Sequence, residues 1–168
     1  LEKQKTMLMN AVERRHVSIT QKLLRFGCDL SITSLKGRSV LHLASMQPAN
    51  GGVVAALLRA RAQVNSIDHD GWTPLHLACK FGHSDSALRL LDHGADPLLR
   101  TNSGETALLL ASTQGFTEIV AGLLDEKVCE KEDLVLALQI ASDAGFYKVV
   151  KLIVMEPFVI EGEHNNLK

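Results

Sequence analysis

Four alanines recur along the chain at nearly constant spacing. Ala11, Ala44, Ala78 and Ala111 are separated by 33, 34 and 33 residues, and each is followed by a leucine 13 or 14 residues later. A fixed period of this length is typical of solenoid proteins, in which every repeat is one small unit that packs only against its neighbours. The spacing therefore predicts an elongated stack of similar units.

The copy around Ala78 has the clearest local signals. Gly71 follows an aspartate in a tight-turn pair, and Thr73 with Pro74 provides the N-cap and first residue expected at a helix start. Gly82 predicts the end of that helix, and Gly94 predicts the end of a second, amphipathic helix. Each unit is thus predicted to be a turn and two antiparallel helices, which bury their apolar faces only by stacking.

This copy resembles an ankyrin repeat. The match is carried by Thr73-Pro74-Leu75-His76-Leu77-Ala78, Gly82-His83, Leu90-Leu91 and Gly94-Ala95-Asp96. The resemblance implies an all-α ankyrin-repeat solenoid of about five turn-helix-helix units, with divergent capping units at both ends. We place the units at 5–32, 35–67, 68–100, 101–130 and 131–155, in a single domain over residues 1–155. Residues 156–168 are expected to be either a disordered tail or the start of a further unit.

The second and fifth copies depart from the period. The second has one extra residue, which we assign to the turn-forming stretch 47–52. The fifth follows the fourth after only 30 residues and has lost its turn glycine. Glu132 and Asp133 are predicted to precede its helix pair, because negative charge favours a helix N-terminus.

Composition limits the classes of function. Hydrophobic residues make up 46% of the 168 residues and aromatic residues only 4%, which is typical of helix packing by aliphatic side chains. No stretch approaches the roughly 20 apolar residues that cross a bilayer, and no signal peptide is visible. The three cysteines are widely spaced. We therefore expect free thiols, no membrane insertion and a reducing compartment, which is the cytoplasm, the nucleus or both.

Charge is distributed unevenly along the chain. The net charge is −1 overall, but it is +5 for residues 1–38, −2 for 39–124 and −4 for 125–168. The basic end either meets an acidic partner or is simply a solvated surface, and the sequence leaves both interpretations open. Nucleic acid is not expected to be the main ligand of a chain this close to neutral.

No set of catalytic residues is recognisable. His42 and His76 share one position of the repeat, where the ankyrin resemblance implies a hydrogen bond between neighbouring turns. His76 and Cys79 have the spacing of helical metal ligands, but His83 lies beyond the helix end and no fourth ligand is near. We expect no catalytic residue, no metal, no cofactor and no small-molecule substrate.

The resemblance implies a partner-binding surface on the concave side, lined by the turn tips and the exposed side of each first helix. The matching positions are Arg38, Met46, His69, Asp70, Trp72, Lys80, Phe81, Asn102, Glu105 and Gln114. Five of these, Arg38, Met46, Trp72, Lys80 and Phe81, form what we call the central patch, in which aromatic anchors have a basic rim. The alternative is that Trp72 packs on a neighbouring turn and Phe81 on the end of its helix.

Asn65 is a second position at which the resemblance implies a role. In ankyrin-like proteins an asparagine here stabilises the turn, and some of these asparagines are substrates of an asparaginyl hydroxylase. The matching positions in two other units hold Ser31 and Leu98, so Asn65 is the candidate for hydroxylation.

These features predict a non-catalytic protein–protein interaction module, monomeric on its own, that binds a protein or peptide on its concave face as an adaptor or scaffold. The alternative is a regulatory or targeting ankyrin segment of a larger multidomain enzyme, channel or ubiquitin-ligase subunit. The fold does not specify the partner, because one scaffold carries many unrelated binding sites.

Overall fold

A computed structural model describes residues 6–155, which form ten helices and no strand. The helices are α1 (Met7–Glu13), α2 (Val17–Arg25), α3 (Val40–Ser45), α4 (Gly51–Arg59), α5 (Pro74–Phe81), α6 (Ser84–Asp92), α7 (Ala107–Gln114), α8 (Thr117–Asp125), α9 (Lys131–Asp143) and α10 (Tyr147–Val154). They pair in sequence, and the odd-numbered helices pack in one row while the even-numbered helices pack in a second row. The expected all-α solenoid of five helix pairs is confirmed. The predicted tail at 156–168 lies outside the described residues.

The signals read from the third copy produce its helices as predicted. The side-chain oxygen of Thr73 accepts a hydrogen bond from the backbone N–H of His76, and Pro74 occupies the first turn of α5. Gly82 ends the helix in the left-handed conformation, with φ at 71°. A residue with a side chain is strained there, which is why glycine is a common helix stop.

The periodic alanines lie where the inner helices pack against each other. Ala44, Ala78 and Ala111 are fully buried, and Ala11 is 5% exposed. Small side chains at these points allow the helix backbones to approach closely, and the leucines and valines around them fill one continuous core along the stack.

The turns between units are hydrogen-bonded to each other. The N–H of His69 donates to the carbonyl of Lys36, and the N–H of Asn102 donates to the carbonyl of Asp70, each over 3.0 Å. Gly71 lies so close to the next turn that a Cβ on it would be 2.8 Å from the backbone nitrogen of Asn102. The three turns therefore form one edge of the molecule, with fixed spacing between their tips.

The extra residue of the second unit lies between its two helices. Helix α3 ends at Ser45, and Ala49 takes a left-handed φ of 54° before α4 begins. The buried side-chain amide of Asn50 donates to the carbonyl of Ala44 over 3.3 Å. This local loop accommodates the insertion, so the stacking of α3 and α4 on the next unit is preserved.

The fifth unit replaces its turn with a longer helix. Our prediction that Glu132 and Asp133 precede the last helix pair is wrong, because both lie inside the first turn of α9. Asp133 is buried and its carboxylate binds Arg100 over 3.0 Å, while the same guanidinium binds Glu130 over 2.7 Å. The two ion pairs of Arg100, a residue of the third unit, thus fix the start of α9, where the other units have a turn.

Candidate partner-binding surface

Each of the three turns begins with a residue whose side chain accepts a hydrogen bond from the backbone. Ser34, Asp68 and Thr101 occupy equivalent positions, and each accepts a hydrogen bond from the backbone N–H four residues later, over 2.9 to 3.2 Å. Such bonds hold the turn closed from inside. The side chains displayed on the turn tips are therefore carried by a rigid frame.

Arg38 of the central patch is engaged within the protein. Its Nε donates to the buried carboxylate of Asp68 over 2.9 Å, and its side chain is only 18% exposed. Burial acts to raise the pKa of Asp68, but the bonds from Arg38 and from the backbone N–H groups of Trp72 and Asp70 outweigh it, so the pKa lies below its usual range. Much of the charge of Arg38 is thus used to fix a turn, which leaves a weaker basic rim than the sequence suggests.

Two buried histidines connect the units. His76 accepts from the backbone N–H of Thr73 at Nδ1 over 3.1 Å, and its Nε2 lies 2.9 Å from the carbonyl oxygen of Leu99. His42 has the same arrangement one unit earlier, with Nε2 at 2.9 Å from the carbonyl oxygen of Trp72. The hydrogen bond implied by the family resemblance is present at both positions. It requires neutral imidazole rings that donate from Nε2.

Trp72 is half-buried, and its ring contacts two side chains of α5. It meets the ring of His76 edge to face, with centroids 6.1 Å apart, and the ammonium group of Lys80 lies 4.3 Å from the centroid of the indole ring. A cation at this distance is attracted by the π electrons of the indole. One face of the Trp72 ring is therefore already in contact with the ammonium group of Lys80.

Phe81 is the most exposed aromatic residue of the central patch. It is 45% exposed and stacks on His83 with ring centroids 6.1 Å apart. His83 in turn lies 3.2 Å, through Nε2, from the carbonyl oxygen of Met46. Met46 is half-buried, and its sulfur accepts from Arg38 over 3.5 Å. The central patch is thus joined by contacts that span the second and third units.

The other predicted positions lie on the turn tips and on the next inner helix. His69, Asp70 and Asn102 are exposed, but the side-chain amide of Asn102 donates to the carbonyl of His69 over 3.1 Å. Glu105 is half-buried and accepts from the hydroxyl of Ser103, whereas Gln114 is exposed at the end of α7. The hydrogen bonds between turns fix the backbones of His69, Asp70 and Asn102, and their side chains lie on the surface of the turn tips.

Asn65 bridges two outer loops. Its side-chain amide donates to the carbonyl of Gly94 over 3.2 Å, and its side-chain oxygen accepts from the N–H of Asp96 over 2.9 Å. These bonds provide the turn-stabilising role that the resemblance implies. The residue is exposed to solvent.

Sequence reasoning missed Asp68, His83 and Arg100, which organise this surface. One signal was available for Asp68, since its equivalents Ser34 and Thr101 are also side-chain acceptors. The role of His83 depends on a carbonyl 37 residues earlier in the chain, so no local pattern predicts it.

The described residues contain no group of three or more histidine, cysteine, aspartate or glutamate side chains able to hold a metal ion. Cys28 and Cys79 are free thiols, and burial raises the pKa of Cys79 far above its usual range. Among residues 6–155 no helix is long and apolar enough to cross a membrane.

Comparison with known proteins supports the repeated helix pairs described above. A family model described as ankyrin repeats, in three copies, matches residues 8–101. The human 2-5A-dependent ribonuclease is 38% identical over 80 residues, which is 47% of this chain and 11% of that protein. The Arabidopsis thaliana protein named "Putative E3 ubiquitin-protein ligase XBAT34" is 31% identical over 125 residues, covering 73% of this chain and 33% of that protein. A Caenorhabditis elegans homolog of transient receptor potential cation channel subfamily A member 1 is 34% identical over 91 residues, covering 53% and 7%.

The chain therefore spans a third or less of the length of these relatives. The names of these relatives describe different activities. On the matched residues and on the five helix pairs, this chain belongs to the ankyrin-repeat family.

Proposed function

We propose that this chain is a non-catalytic interaction module that binds a protein or an extended peptide through the central patch on its concave face. The observation that carries the proposal is the exposed ring of Phe81 beside Lys80, at the end of a helix stopped by Gly82. An aromatic side chain on a rigid helix end costs little entropy to immobilise, so its burial by a partner contributes most of its free energy to affinity.

The chemistry of the patch favours a partner with an apolar and an acidic group close together. Phe81 and the indole ring of Trp72 supply apolar surface, and the ammonium of Lys80 has no carboxylate partner among the described residues. A carboxylate of the partner pairs with Lys80 while an apolar side chain covers Phe81. The partner then contacts both anchors with little rearrangement of the turns, which are already held by hydrogen bonds.

A second candidate function is a regulatory or targeting segment of a larger protein. It is supported by the relatives, whose printed names describe a ribonuclease, a ubiquitin-protein ligase and a cation channel, and of which the matched region is a small part. In that case the patch binds a domain of the same polypeptide or a substrate of the larger assembly. Catalysis then lies outside these residues.

Affinity capture followed by cross-linking mass spectrometry tests the first proposal. The bait carries Phe81→Ala, Lys80→Ala or both, and the control bait carries Phe26→Ala. Phe26 is a suitable control because it is 86% exposed yet lies in the first unit, outside the central patch. We expect partners that cross-link to α5 to be retained by the control and lost with the patch variants.

Melting of every bait is measured first, since the comparison requires intact folds. If partners that bind the wild type also bind the double variant at equal levels, the patch is not the binding site. Cross-links confined to the same polypeptide in the longest natural form of the protein favour the regulatory segment instead.

Two further proposals concern modification and location. Asn65 is a candidate substrate for asparaginyl hydroxylation, since its side chain is exposed on an outer loop and forms two hydrogen bonds with residues of the next unit. The free thiols of Cys28 and Cys79 suit a reducing compartment, which we propose to be the cytoplasm, the nucleus or both. Mass spectrometry of protein from cells tests the first proposal through the addition of one oxygen atom, and cell fractionation tests the second.

A further inference from the structure

Two adjoining grooves lie between the first two units, one between helices α2 and α4 and the other between the loops that follow these helices. Their volumes are about 330 and 370 Å³, and they share the side chains of Leu24 and Ala60 as walls. Arg25 and Arg59 line the first groove, and Arg61 and Asp29 line the second. Three arginines and one aspartate therefore line the two grooves.

These three arginines differ from Arg38, Arg89 and Arg100 in having no side-chain partner among residues 6–155. Arg89 pairs with Asp85 over 2.7 Å, and Arg38 and Arg100 bind carboxylates of the following units. Within residues 6–155, by contrast, no side-chain hydrogen bond or ion pair engages Arg25, Arg59 or Arg61. Asp29 is occupied locally, since its carboxylate accepts from the N–H and the hydroxyl of Ser31. The grooves thus have a surplus of positive charge.

Arg61 is held in an unfavourable backbone conformation. Its φ is 63°, at the position where the first and third units have Gly27 and Gly94, with φ of 72° and 81°. Glycine adopts this left-handed conformation without strain, whereas arginine does not. Retaining arginine here costs stability relative to glycine, a cost that Lys127 shares at the equivalent position of the fourth unit.

We propose that the paired grooves bind a phosphate monoester. Such a group carries nearly two negative charges and three strong acceptor oxygens, so it can be shared by more guanidinium groups than a single carboxylate. Guanidinium forms two parallel hydrogen bonds to phosphate oxygens, which adds directional specificity. Three unpaired arginines against one carboxylate match the charge of one phosphate monoester. The proposal does not depend on the concave face.

The phosphate group has two possible sources, a phosphorylated side chain of a protein partner or a free phosphate compound. Nuclear magnetic resonance on the full chain distinguishes them by following the Nε–Hε signals of the three arginines. The probes are a phosphoserine tripeptide flanked by glycines, its unphosphorylated form, inorganic phosphate and sulfate. We expect saturable shifts with both phosphate probes and none with the unphosphorylated peptide. Stronger binding of the phosphopeptide identifies the protein-borne source, and equal or stronger binding of inorganic phosphate identifies the free one.

Arg61→Gly is the decisive variant, because it removes a cation and relieves strain at once. Its matched control is Lys127→Gly, since Lys127 occupies the equivalent position of the fourth unit with φ of 53° and does not line the grooves. Both variants should melt at or above the temperature of the wild type. Loss of one charge-assisted contact should weaken phosphate binding about tenfold in Arg61→Gly only.

The proposal is overturned if phosphate produces no saturable shift of these signals, or if sulfate binds as tightly as phosphate. It is also overturned if Arg61→Gly and Arg25→Gln, both shown to be folded, bind phosphate like the wild type. Binding to the central patch is unaffected by any of these results.

Discussion

Acidification from about pH 7.5 to about pH 5.5 is expected to destabilise the protein through His42 and His76. Both rings are buried, and burial lowers the pKa of each below its usual value. In each ring Nδ1 accepts from a backbone N–H, while Nε2 lies 2.9 Å from a carbonyl oxygen of the next turn. A proton on Nδ1 would face the N–H that it now accepts from, so protonation breaks the hydrogen bond between each ring and the N-cap residue of its own helix.

The sign and size of the change in unfolding free energy with pH follow from the linkage between proton binding and folding. A histidine whose pKa is lower in the folded than in the unfolded state binds fewer protons when folded, so stability falls as the pH drops below about 6.5. Each such group contributes at most about 1.4 kcal/mol per pH unit. Protonation of the two buried rings together therefore costs at most about 3 kcal/mol over the first pH unit below 6.5, a large part of the 5 to 15 kcal/mol of a typical domain.

Urea unfolding at a series of pH values, followed by circular dichroism, measures this loss. His76→Gln supplies the comparison, because Gln139 occupies the equivalent position in the fifth unit. This variant should be less stable at neutral pH, and its stability should depend only about half as steeply on pH. The exposed His93→Gln serves as the control and should keep the full dependence. A wild type whose unfolding free energy is flat across this range would refute the reasoning, as would a His76→Gln variant with unchanged slope.

Three further changes test the contacts that hold the stack. Asp68→Asn should lower the unfolding free energy by about 2 kcal/mol, because Arg38 loses a charge-assisted bond, and an unchanged urea midpoint would contradict this role of the ion pair. Gly71→Ala should lower the melting temperature more than Gly104→Ala. Both glycines have left-handed φ, but only a Cβ at Gly71 would collide with the next turn. Equal losses in melting temperature would show that the collision contributes nothing beyond the backbone strain that both variants share. Truncation after Lys127 removes α9 and α10 and uncovers the apolar sides of α7 and α8, so calorimetry should show a marked drop in melting temperature, whereas unchanged melting would mean that the fifth unit is not part of the stack.

Much of the fold could be predicted because its signals are local. Thr73, Pro74 and Gly82 lie within ten residues of one another, and each acts on its own helix through a cap or a backbone conformation. The fifth unit shows where local reasoning fails. Asp133 suits a helix N-terminus in any context, but its position inside α9 depends on Arg100, which reaches it from another unit.

The sequence selected the positions of the candidate site, and the structure shows which of their side chains are engaged within the protein. Sequence position alone placed Trp72 and Phe81 outside the core pattern, and Phe81 is indeed exposed. Arg38 and Lys80 were equivalent as charges in the sequence, yet the first binds a buried carboxylate and the second lies over an indole ring. Their difference depends on which side chains of the adjacent unit face them.

The sequence by itself determined that this chain is a stack of helix pairs, because a repeated period with caps and glycines acts within each unit and needs no distant partner. Tertiary structure alone decided which charged side chains pair within the protein and which are left to contact a ligand or partner. Arg38 and Asp68 are 30 residues apart in the chain but 2.9 Å apart in the fold, whereas Arg61 and Lys80 have no carboxylate partner among the described residues. Contacts between units depend on the register in which neighbours stack, and that register exists only after the units have packed.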